Sequence, residues 1–239
     1  MIMAGDVAVD GQNNTRAGDR VNDNSKIEVK ISTVWASRGA HKLLKGLEVF
    51  RIDPGGRICA DIGASTGGFT DVLLSLGAKT VYAVDVGYGQ LAWRLRQDPR
   101  VVVMERTNAR NMEAGYLEPP PDLVAIDVSF ISLRLVIPAV ERVMEPGGEC
   151  ICLVKPQFEA GRSAVGKKGV VKNFDTHVAV LLSILDFLEN SSTVSFAGAS
   201  FSPVLGPSGN IEFLMHLKSG PTNFVDPSRQ EELIRDLVK

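Results

Sequence analysis

The chain has 239 residues, of which 44% are hydrophobic and 23% are charged, a composition typical of a folded globular protein. This length suits one α/β domain of ordinary size with a small additional segment. The formal net charge is −2, so a basic surface for a nucleic acid would have to be local. No apolar run approaches the roughly 20 residues that span a bilayer, and the N-terminus lacks the features of a signal peptide. We therefore expect no association with a membrane.

Residues 1–34 form a segment distinct from the rest of the chain. The run MIMAGDVAVDGQ alternates apolar and polar residues and breaks at Asp10 and Gly11, a pair typical of a hairpin turn. A second extended stretch is predicted over residues 25–32. Because two short strands cannot form a stable core alone, this segment either packs on the main domain or is the remainder of a larger module.

From about residue 35 to residue 239, predicted strands alternate with predicted helices. This alternation indicates a Rossmann-like α/β domain with a mostly parallel seven-stranded sheet covered on both faces. The last two strands follow each other directly, which predicts an antiparallel hairpin at one edge. Strands are predicted over residues 57–63, 79–86, 101–106, 123–130, 148–156, 193–202 and 210–218, and helices over residues 35–50, 67–77, 89–98, 133–144, 175–189 and 227–238.

The loop that follows the first strand of this domain, residues 61–70, has the composition of a ligand-binding loop. Small residues between a strand and a helix let the backbone approach a ligand outside the carboxyl ends of the strands. The glycine spacing fits neither a P-loop nor GxGxxG, so a plain tight turn is the alternative. Asp61 would repel a pyrophosphate and suits a cationic ligand, which favours S-adenosylmethionine over NAD. The predicted cofactor residues in this loop are Asp61, Gly63, Ser65, Gly67, Gly68, Phe69 and Thr70.

The ends of the next two strands supply further predicted cofactor residues. Asp85 and Val86 end the second strand, where an acid is placed to accept hydrogen bonds from ribose hydroxyls. Asn108 and Ala109 follow the third strand, where an adenine amino group can be bound. The alternative for Asp85 and Asn108 is turn or cap formation, since both residue types favour turns.

The chemistry is predicted at the ends of the fourth and fifth strands. Asp127 ends the fourth strand, on the rim of the cofactor loop, and is also a predicted cofactor residue. Lys155 directly follows the apolar run of the fifth strand, and a buried ammonium requires a partner, for which Asp127 is well placed. Glu212 lies early in the last strand, and Lys42 precedes the first strand of the sheet. For each of these residues alone, an ordinary ion pair is the alternative.

The segments around these residues resemble one known family. SRGAHKL, DIGASTGGFTD, VDVGYGQL, DVSFISL, LVKPQFE and GNIEFL together are similar to the TlyA family of FtsJ-like ribosomal RNA 2′-O-methyltransferases, often named hemolysin A. The resemblance covers about residues 1–220. It implies a class I methyltransferase fold, S-adenosylmethionine as the cofactor, a ribose 2′-hydroxyl of a ribosomal RNA cytidine as the acceptor, and ribosomal RNA or ribosomal subunits as partners. It also implies a catalytic tetrad, which maps here to Lys42, Asp127, Lys155 and Glu212.

The tetrad suits the weak nucleophile that a ribose hydroxyl presents. A lysine can accept the hydroxyl proton or stabilise the developing alkoxide. Lys155 is the predicted centre of this chemistry and Asp127 orients it. Lys42 and Glu212 are predicted to position the ribose.

A basic surface next to this rim is predicted to bind RNA. Residues 155–172 hold five basic residues against one acid and three glycines, although a solvated loop is the alternative. The N-terminal segment, residues 1–34, resembles the second half of an S4 RNA-binding domain. The first half is not in this sequence, so we expect either a chain shortened at its start or a homologue that has lost the helices of that half. Ala40 stands where many relatives have glycine. The predicted RNA-binding residues are Arg38, His41, Lys45, Arg162, Lys167 and Lys168.

Three other functions compete with an RNA methyltransferase. They are a cofactor-binding module without turnover on ribosomal subunits, a membrane-lytic protein as the hemolysin name suggests, and a small-molecule methyltransferase. The three cysteines lie in predicted strands without metal-ligand or disulfide spacing, so we assign no metal site and expect free thiols in a reducing cytoplasm. The sequence leaves the oligomeric state, monomer or dimer, open.

Overall fold

A computed structural model describes residues 7–12, 18–29, 35–161, 164–166, 169–220 and 225–238. The chain divides into two compact units, Met1–Trp35 and Ala36–Lys239. In the first unit, strand β1 (Val7–Val9) pairs antiparallel with β2 (Ile27–Val29). The predicted turn at Asp10 and Gly11 is present, and both residues have positive φ. The S4-like character of this unit stays a prediction.

The second unit contains a seven-stranded sheet with the order β5-β4-β3-β6-β7-β9-β8. The first five of its strands along the chain are parallel, whereas β9 runs antiparallel to both β7 and β8. The predicted mostly parallel sheet with an antiparallel edge hairpin is therefore confirmed. The strands are β3 (Ile58–Ile62), β4 (Thr80–Val84), β5 (Val101–Met104), β6 (Leu123–Ile126), β7 (Glu149–Val154), β8 (Val194–Phe201) and β9 (Phe213–Ser219).

Helices accompany the sheet as the alternation of the sequence predicted, with three differences in detail. The predicted helix over residues 133–144 is a 3-10 turn, Leu133–Leu135, followed by α4, because Pro138 suits the first turn of a helix and not its interior. The predicted helix over residues 89–98 is reduced to one turn, and a further single turn, α5, was not predicted. The helices are α1 (Ala40–Phe50), α2 (Gly68–Ser75), α3 (Trp93–Arg96), α4 (Ile137–Val143), α5 (Pro156–Glu159), α6 (Phe174–Ser191) and α7 (Pro227–Val238).

The central strands of the sheet are buried on both faces, which explains their nearly continuous apolar sequences. Every residue of β6 is buried, as are the last four of β3 and the last five of β7. Cys59, Cys150 and Cys152 lie in these strands as free, buried thiols, as predicted. Burial raises the pKa of Cys59 and of Cys152 to about 12, so these thiols are protonated and unreactive near neutral pH.

The strand order positions the site. The order reverses between β3 and β6, and ligands of open α/β sheets bind in the crevice outside the carboxyl ends of strands at such a reversal. Loops leaving β3, β4, β6 and β7 therefore meet at one edge. Among the described helices, none is both long enough and apolar enough to cross a bilayer.

Candidate active site

Two cavities lie side by side at the carboxyl edge of the sheet. The first, here called the polar cavity, has a volume of about 450 Å³ and is lined by charged and small residues. The second, the apolar cavity, has a volume of about 420 Å³, within the range of small-molecule sites. Gly63, Ser65, Asp127 and Ser129 line both cavities, so the two form one continuous cleft.

Asp61 lies at the end of β3 and lines the polar cavity, although it is fully buried. Its Oδ2 accepts hydrogen bonds from the Thr70 amide at 2.8 Å and from the Thr70 hydroxyl at 2.7 Å. Its Oδ1 has no hydrogen-bond partner within the described residues. Burial raises the pKa of Asp61 to about 7; the two bonds from Thr70 oppose the rise, and the charges of Asp127 and Asp85 add to it. A buried carboxylate with a free oxygen fits a cationic group in the cleft.

Gly63 and Gly67 of the 61–70 loop allow close packing within the protein itself. Gly63 has a φ of +89°, and a Cβ there would lie 2.6 Å from the Asp127 carbonyl oxygen. Gly67 has a φ of +96°, and its Cβ would lie 2.3 Å from Leu95. Gly67 and Thr70, predicted as cofactor residues, line neither cavity. They support the loop, whereas Gly68 and Phe69 line the polar cavity as expected for ligand contact.

Asp85 lies at the mouth of the apolar cavity, where two backbone amides fix its carboxylate. It accepts hydrogen bonds from the Ser65 amide at 2.8 Å and from the Gly87 amide at 2.6 Å. Val86, Asn108 and Ala109 line the same cavity. The Asn108 side chain accepts a hydrogen bond from the Arg110 amide at 3.2 Å, so the predicted alternative of a cap is also present.

Two ion pairs adjoin the polar cavity. The Lys155 ammonium lies 2.6 Å from Asp127 Oδ1 and donates a hydrogen bond to the Ser129 hydroxyl at 2.9 Å. The Lys42 ammonium donates to Glu212 Oε2 at 2.6 Å. Both lysines are buried, 8% exposed or less, and both line the cavity. The fold thus brings the four predicted catalytic residues to one place.

Glu212 directly precedes β9 and is not part of it, in contrast to the prediction. It is 1% exposed, and its Oε1 has no hydrogen-bond partner within the described part of the chain. Gly206 packs against this oxygen, because a Cβ at Gly206 would lie 2.1 Å from it. Gly206 also lines the polar cavity, so this glycine, which has no side chain, lies between Glu212 and the cleft.

The segment that carries Glu212 also anchors the end of the predicted basic loop. The side chain of Asn210 accepts a hydrogen bond from the Val171 amide at 3.0 Å and donates one to the Gly169 carbonyl at 3.0 Å. A ring nitrogen of His177 lies 3.1 Å from the Val171 carbonyl oxygen. Both backbone groups of Val171 are therefore held by side chains.

The predicted RNA-binding residues are partly described. Arg38 is exposed and lines the polar cavity, and His41 is exposed on α1. Lys45 is paired with Glu48 at 3.1 Å on the same helix. The other three, Arg162, Lys167 and Lys168, lie outside the described residues.

The sequence prediction missed several side chains around Lys155. Glu159 accepts hydrogen bonds from the Ser132 hydroxyl at 2.6 Å and the Leu133 amide at 2.7 Å, and so braces the segment after β6. Phe130, in that segment, is 89% exposed, has a φ of +63° and lies at the edge of the apolar cavity. These contacts join distant parts of the chain, so no local sequence pattern predicts them. The one available signal was that Phe130 and Glu159 lie a few residues after Asp127 and Lys155 in the sequence.

Comparison with known proteins gives consistent matches over most of the chain. The model of the FtsJ-like methyltransferase family matches residues 35–219. The 16S/23S rRNA (cytidine-2′-O)-methyltransferase TlyA of Mycobacterium tuberculosis is 45% identical over 221 residues, covering 92% of this chain and 82% of that protein. A Bacillus subtilis protein provisionally named rRNA methyltransferase YqxC is 49% identical over 218 residues, covering 90% and 77%.

A solved structure agrees with these matches. It comes from a Lactococcus lactis protein provisionally named a hemolysin, has a TM-score of 0.80 and 43% sequence identity, and covers 86% of this chain and 99% of that chain. The family model alone spans more than half of the chain, and the two relatives span more than two thirds of it. The chain therefore belongs to the FtsJ-like methyltransferase family.

Proposed function

We propose that the chain transfers a methyl group from S-adenosylmethionine to a ribose 2′-hydroxyl in ribosomal RNA, at a cytidine as in the relative named TlyA. The observation that carries this proposal is the pair of buried lysine–carboxylate contacts, Lys155 with Asp127 and Lys42 with Glu212, on one cavity. That cavity is continuous with a second one suited to a nucleoside. Two lysines beside an acceptor site suit removal of a proton from a weak hydroxyl nucleophile.

The cleft fits the proposed cofactor. The free Oδ1 of Asp61 suits a cationic methionine moiety, and Asp85 is placed to accept hydrogen bonds from ribose hydroxyls. Ile131 and Val136 give the second cavity apolar walls for an adenine ring. When bound, this cofactor supplies a methyl group on a positively charged sulfur.

Lys155 is the group proposed to act on the acceptor. Its ammonium lies in the polar cavity and contacts Asp127 and Ser129, two of the residues that line both cavities. There Lys155 as a neutral amine can accept the hydroxyl proton and become an ammonium, or as an ammonium it can stabilise the developing alkoxide. Lys42 lines the same cavity and is proposed to position the acceptor ribose, with Glu212 behind it as its ion-pair partner.

The proposed acceptor is RNA because of the surface around the polar cavity. Arg38 lines the cavity, His41 is exposed on the adjoining helix, and Phe130 offers an exposed ring at the edge of the cleft. Exposed cations attract phosphates, and an exposed ring can stack on a base. The 155–172 stretch and the S4-like first unit are proposed to add RNA affinity, and a ribosomal substrate would place the enzyme in the cytoplasm.

The test is methyl transfer to ribosomal subunits isolated from cells that lack this chain. With tritiated S-adenosylmethionine, the wild-type protein should label ribosomal RNA, and Lys155→Ala should not while it retains its circular dichroism spectrum. Lys79→Ala, an exposed lysine before β4, is the control and should be fully active. Mass spectrometry of the nucleosides should locate the methyl group on a ribose. Labelling of a base, or normal turnover by Lys155→Ala, would contradict the proposal.

A further inference from the structure

Ser129 occupies the junction of the two cavities. It is one of four residues that line both, and its hydroxyl accepts a hydrogen bond from the Lys155 ammonium at 2.9 Å. Ser129 itself is exposed toward the cleft. No part of the predicted tetrad explains this contact, since Asp127 already provides the negative charge that Lys155 requires.

The hydrogen bond to Ser129 affects the rotation of the Lys155 head group, and so the direction in which its other hydrogen-bonding positions point. An ammonium has three N–H donors that rotate freely about the last bond of the side chain. Asp127 Oδ1 lies 2.6 Å away as an ion-pair partner but accepts no hydrogen bond within the described residues, so the bond to Ser129 is the contact that fixes one of these directions. Because the three positions are rigidly spaced about the last bond of the side chain, fixing one of them determines the other two. Lys155 is 7% exposed and lines the polar cavity, where an acceptor can reach it.

The segment that holds these two partners is itself braced at both ends. The Asp127 amide donates to the Ile62 carbonyl at 2.9 Å, which ties the segment to β3. At the other end, Glu159 accepts hydrogen bonds from Ser132 and Leu133. Glu159 lies in α5, the helix that directly follows Lys155. Lys155 at the end of β7 and its two partners after β6 are therefore tied to each other through Glu159.

We infer that Ser129 is a positioning residue for Lys155: its hydroxyl fixes the rotation of the lysine head group so that one of the two other positions, a lone pair or an N–H, points at the acceptor hydroxyl. This inference rests on the proposed function. It explains why a hydroxyl lies at the boundary between the cofactor side and the acceptor side of the cleft. It also assigns Ser129 a role in the rate of transfer and none in holding either ligand.

The inference predicts a specific kinetic pattern. Ser129→Ala should lower the single-turnover rate of methyl transfer by about tenfold to a hundredfold, the range for a lost hydrogen bond to a charged group. Because Ser129 is exposed, the variant should fold normally. The dissociation constants for S-adenosylhomocysteine and for ribosomal subunits should change less than about twofold, since the hydroxyl acts through Lys155. Ser129→Thr, which keeps the hydroxyl, should recover most of the rate.

The experiment compares wild type, Ser129→Ala and Ser129→Thr with a matched control, Ser75→Ala, whose hydroxyl donates to the Val72 carbonyl at 2.8 Å away from the cleft. Tritium transfer to ribosomal subunits is followed with both substrates saturating. A slow alanine variant, rescued by threonine and with unchanged affinities, supports the inference. A fast alanine variant, a slow but unrescued threonine variant, or a loss confined to either affinity overturns it while leaving the proposed function intact. Absence of transfer by the wild type overturns both.

Discussion

Binding of S-adenosylmethionine is expected to strengthen as pH rises through neutrality, because Asp61 must be ionised to attract a cation. Burial raises the pKa of Asp61 from its ordinary 3.8 to about 7 in the folded, ligand-free protein. Only the ionised fraction is competent, so the apparent dissociation constant varies inversely with that fraction. About a tenth of the Asp61 side chains are ionised at pH 6 and about nine-tenths at pH 8, which predicts a gain of roughly tenfold in affinity.

The same carboxyl group affects the free energy of unfolding with the opposite sign. Its pKa is higher in the folded chain than in the unfolded chain, so its contribution to stability is full below about pH 4 and is lost as the pH rises through about 7. Raising the pKa from 3.8 to about 7 corresponds to about 4 kcal/mol. The ligand-free wild type should therefore lose stability over this window relative to Asp61→Asn, which cannot ionise.

Isothermal titration calorimetry from pH 6 to pH 8 measures the effect directly. S-adenosylhomocysteine is a suitable ligand because it keeps the ammonium group and is not consumed. Asp61→Asn should bind weakly at every pH, and Asp53→Asn, at an exposed turn before β3, should keep the wild-type slope. A wild-type affinity that does not change with pH, or a slope that persists in Asp61→Asn, would refute the reasoning.

Three further substitutions test the packing around the cleft. Gly206→Ala places a Cβ 2.1 Å from Glu212 Oε1 and should displace that side chain. We expect at least a tenfold loss of transfer rate with normal folding. Gly161→Ala, whose Cβ meets no described atom within 4 Å, should keep the wild-type rate at saturating substrates. Glu159→Gln should weaken the brace after β6 and lower the midpoint of urea unfolding by a stability change of about 1–3 kcal/mol; an unchanged midpoint would show that the brace adds nothing. Gly67→Ala combines a positive φ with overpacking and should cost about 2–4 kcal/mol in the same assay, and a cost below about 0.5 kcal/mol would contradict the contacts described for it.

Much of the fold was predictable because the strands are buried on both faces. Continuous apolar runs such as Leu123–Ile126 leave few alternatives, and Gly77 marks the end of α2. Elements of one turn were the exceptions. A four-residue helix such as α5 shows no periodicity in the sequence, and Pro138 divides a stretch whose apolar spacing alone predicts one helix.

The candidate site was predictable where it depends on strand ends. Asp61 lies near the end of β3, and Asp85, Asp127 and Lys155 directly follow β4, β6 and β7. Parallel strands deliver their carboxyl ends to one edge. The supporting contacts were not predictable, because they join distant parts of the chain without a characteristic spacing. Glu159 reaches Ser132 across 27 residues of sequence, and no local pattern encodes such a meeting.

The anchoring of Val171 has a consequence for how the protein can diversify. Glu159 is fixed to the segment after β6 on one side, and Asn210 with His177 holds the chain at residues 169–171 on the other. Because the chain is held on both sides, we expect that the length and charge of residues 160–168 can change without displacing Lys155 or Glu212. Replacing residues 160–168 by the corresponding residues of a relative is therefore a way to change the substrate preference while the catalytic residues stay in place.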